Sequence, residues 1–252
     1  MSVLTQLHAL RHHELERALA WFPAPREAGR TRTVLEIGAG TGHQARLIGE
    51  RGYAITAVDL ASSHYAGDRV HPVIDYDGRR LPAGDASFDV VFSSNVLEHV
   101  RDIDAFLDEI ARVLAPGGIA VHILPTPAWR LWSTFTHYGW LAKRLYALVN
   151  PPPALEAGEH APQVPKTLRG YLSTFFPLRH GEQGTTVSEL WLFSRRAWLA
   201  RFRAHGYTIV ADEPTGLFYT LSNVCGERIP LTARARLAGV LGSACRLYVM
   251  TR

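Results

Sequence analysis

The chain has 252 residues, of which 47% are hydrophobic and 20% charged, with a formal net charge of +4; this excludes a disordered chain and suits one α/β domain with a substantial core. No apolar run reaches the roughly 18 residues needed to cross a bilayer, and the amino terminus lacks the basic-then-apolar pattern of a secretory leader. Two cysteines, Cys225 and Cys245, provide neither a disulfide framework nor a metal quartet, so a reducing cytoplasm is the expected compartment.

Residues 7–22 place Leu7, Leu10, Leu15, Ala18, Leu19 and Phe22 at helical spacing before a proline-rich break, predicting a helix that packs on a sheet or covers a ligand cleft. Residues 33–42 read T-V-L-E-I-G-A-G-T-G: a short strand, an acidic residue, and glycine at every second position, with a helix to follow from about 42 to 51. Glycine permits positive φ and lets a ligand lie against the backbone. The helix start then points unpaired N–H groups toward that ligand. A second apolar run, 53–58, ends at Asp59, whose carboxylate can accept both hydrogens of a ribose diol. The connection A-S-S-H-Y-A-G-D-R has room for barely one helical turn. A third strand ends at Asp75, and Asp77 lies just beyond it, where a carboxylate can accept from an adenine amine. A fourth strand starts at Phe88 and delivers Asn95 and Glu98 to the cleft. Residues 102–114 put Ile103, Phe106, Leu107, Ile110 and Leu114 on one helical face, and Pro116, Gly117 and Gly118 close that element before a fifth strand at 119–124. Strands alternating with helices predict a doubly wound, mostly parallel Rossmann-like sheet, with ligands beyond the carboxyl ends of its strands.

The pattern changes after Pro125. Residues 126–188 read as an inserted cap containing Trp129, Trp132, Phe135, Tyr138, Trp140, Tyr146 and the run Pro151, Pro152, Pro153. A helix at 194–205 with Trp198 and Phe202 inward, a strand at 207–211 and a last strand at 246–251 follow. On that division residues 1–252 form one domain, with a ligand-binding core at about 30–125 and a second cap insertion at 212–244.

The dinucleotide fingerprint G-x-G-x-x-G/A fits Gly38 and Gly40 but would put its third glycine at His43. The combination E-I-G-A-G-T-G, A-V-D, L-P-x-x-D-x-S-F-D-V-V and V-L-A-P-G-G instead closely resembles class I S-adenosylmethionine-dependent methyltransferases, in particular the UbiE-like or methyltransferase type 11 group. The resemblance covers about residues 30–125, and it implies a seven-stranded sheet closed by an antiparallel last strand at 246–251. It implies that Gly38, Ala39 and Gly40, with Gly42 opening the helix, approach the methionine part of S-adenosylmethionine, and that Glu36 supports that loop or reaches the amino group. It further implies that Asp59, beside Leu60, binds the ribose, that Asp77 and Gly78 meet the adenine, and that Asn95 lines the methionine end.

With the sulfonium methyl already activated, the remaining task is to place a nucleophile in line with it. A hydroxyl acceptor also benefits from a general base, most often histidine. His180, beside Glu182 in R-H-G-E, is the first candidate, followed by His137 and His99; His160 also lies in the cap. Residues 1–127 carry 12 Lys and Arg against 16 Asp and Glu, whereas residues 128–252 carry 15 against 7, a split that suits an anionic acceptor for the basic half. A small molecule or glycan methylated on oxygen is the expected substrate. The segment 128–149, aromatic and basic, reads either as a lid or as an interfacial helix touching a membrane that carries a lipid-linked glycan. Nucleic acid is not an expected partner: S-S-N-V stands where amino-methylating DNA enzymes resemble one another in an N/D-P-P-Y/F tetrad. No metal-ligand cluster is evident in the sequence. The alternatives are a regulatory protein that binds S-adenosylmethionine without turnover, and an N- or C-methyltransferase of a natural product.

Overall fold

The computed structural model describes residues 3–149, 175, 177–220 and 229–252; Pro151 to Pro153, His160 and Cys225 lie outside them. Its centre is a seven-stranded sheet. In chain order the strands are β1 (Thr33–Ile37), β2 (Ala54–Leu60), β3 (Ile74–Tyr76), β4 (Phe88–Ser94), β5 (Leu114–Pro125), β6 (Thr208–Pro214) and β7 (Cys245–Thr251). They lie in the order β3-β2-β1-β4-β5-β7-β6. The first five run parallel, and β7 returns antiparallel between β5 and β6. A separate hairpin pairs Arg26–Glu27 with Arg30–Thr31.

Side chains alternate between the two faces of the strands. On one face Val34, Val90, Phe92, Val121, Leu247 and Val249 pack with Leu15 and Ala18 of helix α1 (Val3–Leu19) and Ile48 of α2 (His43–Glu50). On the other, Leu35, Ile37, Val91, Tyr248 and Met250 pack with α3 (Ile103–Val113) and with Trp198, Leu199 and Phe202. The stripe Ile103, Phe106, Leu107, Ile110 and Val113 of α3 is fully buried, each such side chain worth about 1.5–3 kcal/mol of transfer free energy. Asp102 caps that helix by accepting from Ala105 N–H at 3.2 Å.

Two expectations shift. The V-L-A-P-G-G run does not separate helix from strand: β5 begins at Leu114, and its register against β4 shifts between Phe88 and Val90. Gly117 takes φ +74° there, and a Cβ at Gly118 would sit 2.9 Å from the Asp89 carbonyl oxygen, so glycine is required at both places. Strand β6 runs to Pro214 rather than 211, three residues into the segment expected as a second insertion, and α7 (Leu231–Leu241) follows before β7. After β5 comes a 23-residue helix, α4 (Pro127–Val149), and further along the chain α5 (Glu189–Leu192) and α6 (Arg195–Ala204).

Candidate cofactor and acceptor site

The carboxyl ends of β1, β2 and β4 meet at the glycine loop. Gly38, Gly40 and Gly42 all have positive φ, at +70°, +57° and +74°. Gly38 N–H and Ala39 N–H both donate to the Val58 carbonyl, which folds the loop back over β2. A Cβ on Gly38 would lie 2.4 Å from Val96 Cγ2, so the loop presses directly on the turn that follows β4. Asp59 joins the same structure: its Oδ2 accepts from Gly40 N–H at 2.9 Å and its Oδ1 from Leu60 N–H at 2.8 Å. Glu36 is fully buried behind the loop, and its Oε2 has no hydrogen-bond partner among the described residues. Burial, countered by a hydrogen bond from the Ala45 backbone and reinforced by the Asp59 charge, raises its pKa to about 8. A buried acid with an orphaned oxygen under a glycine turn fits the ammonium of a bound S-adenosylmethionine. The donor set therefore fits that cofactor.

At the far end of β2, Leu60 is 42% exposed, and Gly78 with φ +78° packs so closely that a Cβ would fall 2.8 Å from Leu60 Cδ2. Asp77 turns its Oδ1 onto the N–H groups of Arg79 and Arg80, at 2.8 and 3.0 Å. These bonds hold its carboxyl below the usual range. Asp59, Leu60, Asp77 and Gly78 thus gather at one edge of the cleft.

Asn95 takes φ +56°, a conformation asparagine tolerates better than most residues. Its N–H donates to Ile123 O at 2.8 Å. With its amide oxygen turned toward α1, Asn95 accepts from Arg11 Nη1 at 2.5 Å. Arg11 also donates to Glu14 at 2.6 Å, and Glu14 accepts from Tyr219 Oη at 2.8 Å. Helix α1 thus places a charged pair beside Asn95. Sequence reasoning assigned that helix a covering role but passed over Arg11 and Glu14. The only available signal was an Arg and a Glu three apart on its inward face.

Glu98 and His99, adjacent in sequence, meet the distant His180 on the turn after Val96. Glu98 is fully buried, and both His99 Nε2 and His180 Nε2 lie 3.9 Å from its Oε1. The two imidazoles meet edge to face at 4.5 Å, and His180 also packs on Trp129 at 4.5 Å. His137 lies about two turns along α4 from Trp129, with Tyr138 and Trp140 as ring neighbours. Burial, with the nearby His99, Arg130 and Arg11, depresses His180 to about 3, so its ring stays neutral and offers a lone pair. Burial raises Glu98 to about 8.

The partner expected for His180 is different in the structure. Glu182 pairs with Arg101 at 3.3 Å and reaches toward Arg179, because the turn after His180 carries its side chain outward. Two other groups fix the segment. Glu189 Oε1 accepts from the N–H groups of His180 and Gly181, at 2.6 and 2.7 Å, and Glu182 N–H donates to the Glu98 carbonyl at 2.9 Å. Arg130 from α4 pairs with Glu189 at 3.2 Å, both side chains essentially buried. Arg130 and Glu189 were not legible as site residues, since neither belongs to a local motif.

Residues 35–122 match the family described as Methyltransferase domain (Methyltransf_11). A ubiquinone biosynthesis O-methyltransferase of Paramagnetospirillum magneticum is 34% identical over 124 residues, covering 44% of this chain and 49% of that protein. A malonyl-[acyl-carrier protein] O-methyltransferase of Serratia marcescens is 38% identical over 90 residues, covering 34% of this chain and 35% of its own length. The chain thus aligns with less than half the length of either relative. Among solved structures, an S-adenosylmethionine-dependent methyltransferase from Mesorhizobium loti superposes with a TM-score of 0.56 at 19% identity, over 95% of this chain and 98% of that one; that likeness concerns the fold. With the glycine loop, Asp59 and the strand order in place, residues 35–122 match a methyltransferase domain and sit in a fold like that of the S-adenosylmethionine-dependent methyltransferase named above.

Proposed function

We propose that the whole chain is an S-adenosylmethionine-dependent methyltransferase that modifies an oxygen atom of a small molecule or glycan. The observation that carries this reading is the orphaned, buried Glu36 oxygen beneath a glycine loop tied to Asp59. When bound, S-adenosylmethionine supplies an activated methyl group. Gly38, Ala39 and Gly40 hold the methionine portion, Glu36 and Arg11 meet its ammonium and carboxylate, and Asp59 holds the ribose, with Asp77 and Gly78 at the adenine. Asn95 orients Arg11. His99 and His180 face the acceptor, and Trp129 walls the site against water that would compete with it. O-methylation is favoured because the two relatives named above are O-methyltransferases.

The test has two stages. Calorimetry with S-adenosylmethionine and with NAD should give binding of the first only; the reverse would overturn the reading. Labelled methyl from S-adenosylmethionine should then enter the lipid, glycan or small-molecule fraction of a host extract. His180→Ala should lower that transfer at least tenfold while leaving cofactor affinity unchanged. Label in nucleic acid or protein would overturn the acceptor class, and cofactor binding without transfer into any fraction would favour a regulatory protein.

One further observation favours membrane contact. No helix among the described residues is long and apolar enough to cross a membrane. Yet Leu131, Phe135 and Tyr138 recur at helical spacing on α4 with large exposed side chains. Flotation with anionic vesicles tests it: absence from the lipid fraction removes this second reading.

A further inference from the structure

The sequence offered no metal-ligand cluster, but the fold assembles one. Glu98 and His99 come from the turn after β4, and His180 arrives 81 positions later from the inserted cap. One ligand atom from each lies within 4.8 Å of the others. The Glu98 side chain is wholly buried, and neither of its oxygens has a hydrogen-bond partner among the described residues. Leaving a carboxylate in that state is costly unless a cation or proton joins it. Arg11 is the nearby guanidinium, but it donates to Glu14 and Asn95, and none of its hydrogen bonds reaches the Glu98 oxygens.

From this the geometry points to a binding site for a divalent first-row transition metal ion of the Zn²⁺ class, held by Glu98, His99 and His180, which positions the acceptor oxygen. Two imidazoles and one carboxylate are a donor set such ions use with a coordination position left open. Here the opening is on the side of His99, whose side chain is 43% exposed. Bringing the three atoms to about 2.1 Å from one centre requires movements of about an ångström, which rotation of the exposed His99 can supply. The cap segment is positioned for the role: Glu189 fixes the His180 and Gly181 N–H groups, and Gly181 rests so tightly on the turn that a Cβ there would fall 2.7 Å from the Glu98 carbonyl oxygen.

The catalytic consequence rests on the methyltransferase reading; the metal site itself does not. An acceptor hydroxyl bound at the open position becomes more acidic and releases its proton to solvent water on the His99 side. Its oxygen then forms the bond to the methyl carbon while the carbon–sulfur pair passes to sulfur, leaving S-adenosylhomocysteine. Val96, which packs on Gly38, precedes Glu98 by two residues, so the ligand set and the cofactor loop share one turn.

The test uses the full chain, free of any histidine tag and treated with chelator. Calorimetric titration with ZnCl2 should give one site per chain, and Co²⁺ loading should produce visible d–d absorption. Glu98→Gln and His180→Ala should each weaken Zn²⁺ binding at least tenfold and abolish the Co²⁺ band, whereas the surface control His64→Ala should match wild type. Thermal unfolding and S-adenosylmethionine titration of the same variants establish that they are folded. Equal Zn²⁺ affinity in wild type, Glu98→Gln and His180→Ala would overturn the proposal, as would failure of the wild type to bind. Metal binding without methyl transfer would sink the methyltransferase reading and leave the site standing. Transfer undiminished by chelation, in protein that binds no metal, would do the reverse.

Discussion

Asp59 Oδ2 accepts a hydrogen bond from Gly40 N–H at 2.9 Å, so the tip of β2 and the glycine loop are one structural unit. On the proposed reading, the carboxylate takes up a second task when a cofactor ribose is present. Asp59→Ala should therefore weaken S-adenosylmethionine binding by about 10–100-fold, the value of one or two charge-assisted hydrogen bonds. Calorimetry checks this, and unchanged affinity would remove Asp59 from the cofactor site.

Gly38→Ala should be disproportionate to its size. The new methyl would meet Val96 Cγ2 at 2.4 Å at a φ of +70°, which combines overpacking with backbone strain. A loss of about 1–3 kcal/mol in stability is expected in denaturant unfolding, together with weaker cofactor binding. Gly117→Ala gives a useful contrast, since nothing lies within 4 Å of a Cβ there; it carries the strain without the clash and should leave cofactor affinity intact.

Glu189 has two duties and Arg130 one. Glu189→Ala strips the His180 and Gly181 N–H groups of their acceptor and leaves a buried guanidinium alone. It should cost about 3–5 kcal/mol and release the cap segment. Arg130→Met removes the charge but keeps the volume, and combined with Glu189→Gln it should cost less than Glu189→Ala alone. Urea unfolding of the three proteins measures this; a double variant as damaged as Glu189→Ala would contradict it.

His122 gives the fold an acid sensitivity of its own. It is fully buried in β5, 2.7 Å from Ser93 Oγ, and burial lowers its pKa to about 3. Below pH 6.5 the unfolded chain takes up a proton that the folded chain refuses, so stability falls as pH drops from 6.5 toward 3. At pH 5 this single group should cost about 2 kcal/mol relative to pH 7. The pH 5 to pH 7 difference in unfolding free energy should shrink by that amount in His122→Gln. An unchanged difference would show that His122 titrates normally.

The meeting of the glycine loop and Asp59 was legible because it is built from local signals. Gly38, Gly40 and Gly42 lie within five residues, and Asp59 stands at the end of the next strand, so strand and turn signals alone bring them together. The stripe of α3 and the antiparallel return of β7 followed from periodicity and the fold type. The acceptor side was only half legible. His99 and His180 were named, yet their meeting at Glu98 depends on a cap that docks through backbone atoms, which no side-chain pattern encodes. Glu182 was chosen to orient His180 because it is close in sequence; Glu189 and Glu98 occupy that neighbourhood because of how the turn at 180–184 is folded. Arg130 read as part of an aromatic, basic helix surface, and its burial arises only when α4 packs against α5.

The antiparallel return of β7 has a consequence for how the protein is made. Residues 245–251 fill an interior lane of the sheet, hydrogen-bonded to β5 on one side and β6 on the other. During synthesis β5 therefore presents an unpaired apolar edge for more than a hundred residues, while the cap and its helices emerge. Such an edge invites pairing with other chains. The late closure of a long-range antiparallel ladder is also slow compared with the local assembly of β1 to β4. The nascent chain thus passes through a stage in which the cofactor-binding half can already fold while its sheet still lacks its last interior strand, and it is then most exposed to aggregation.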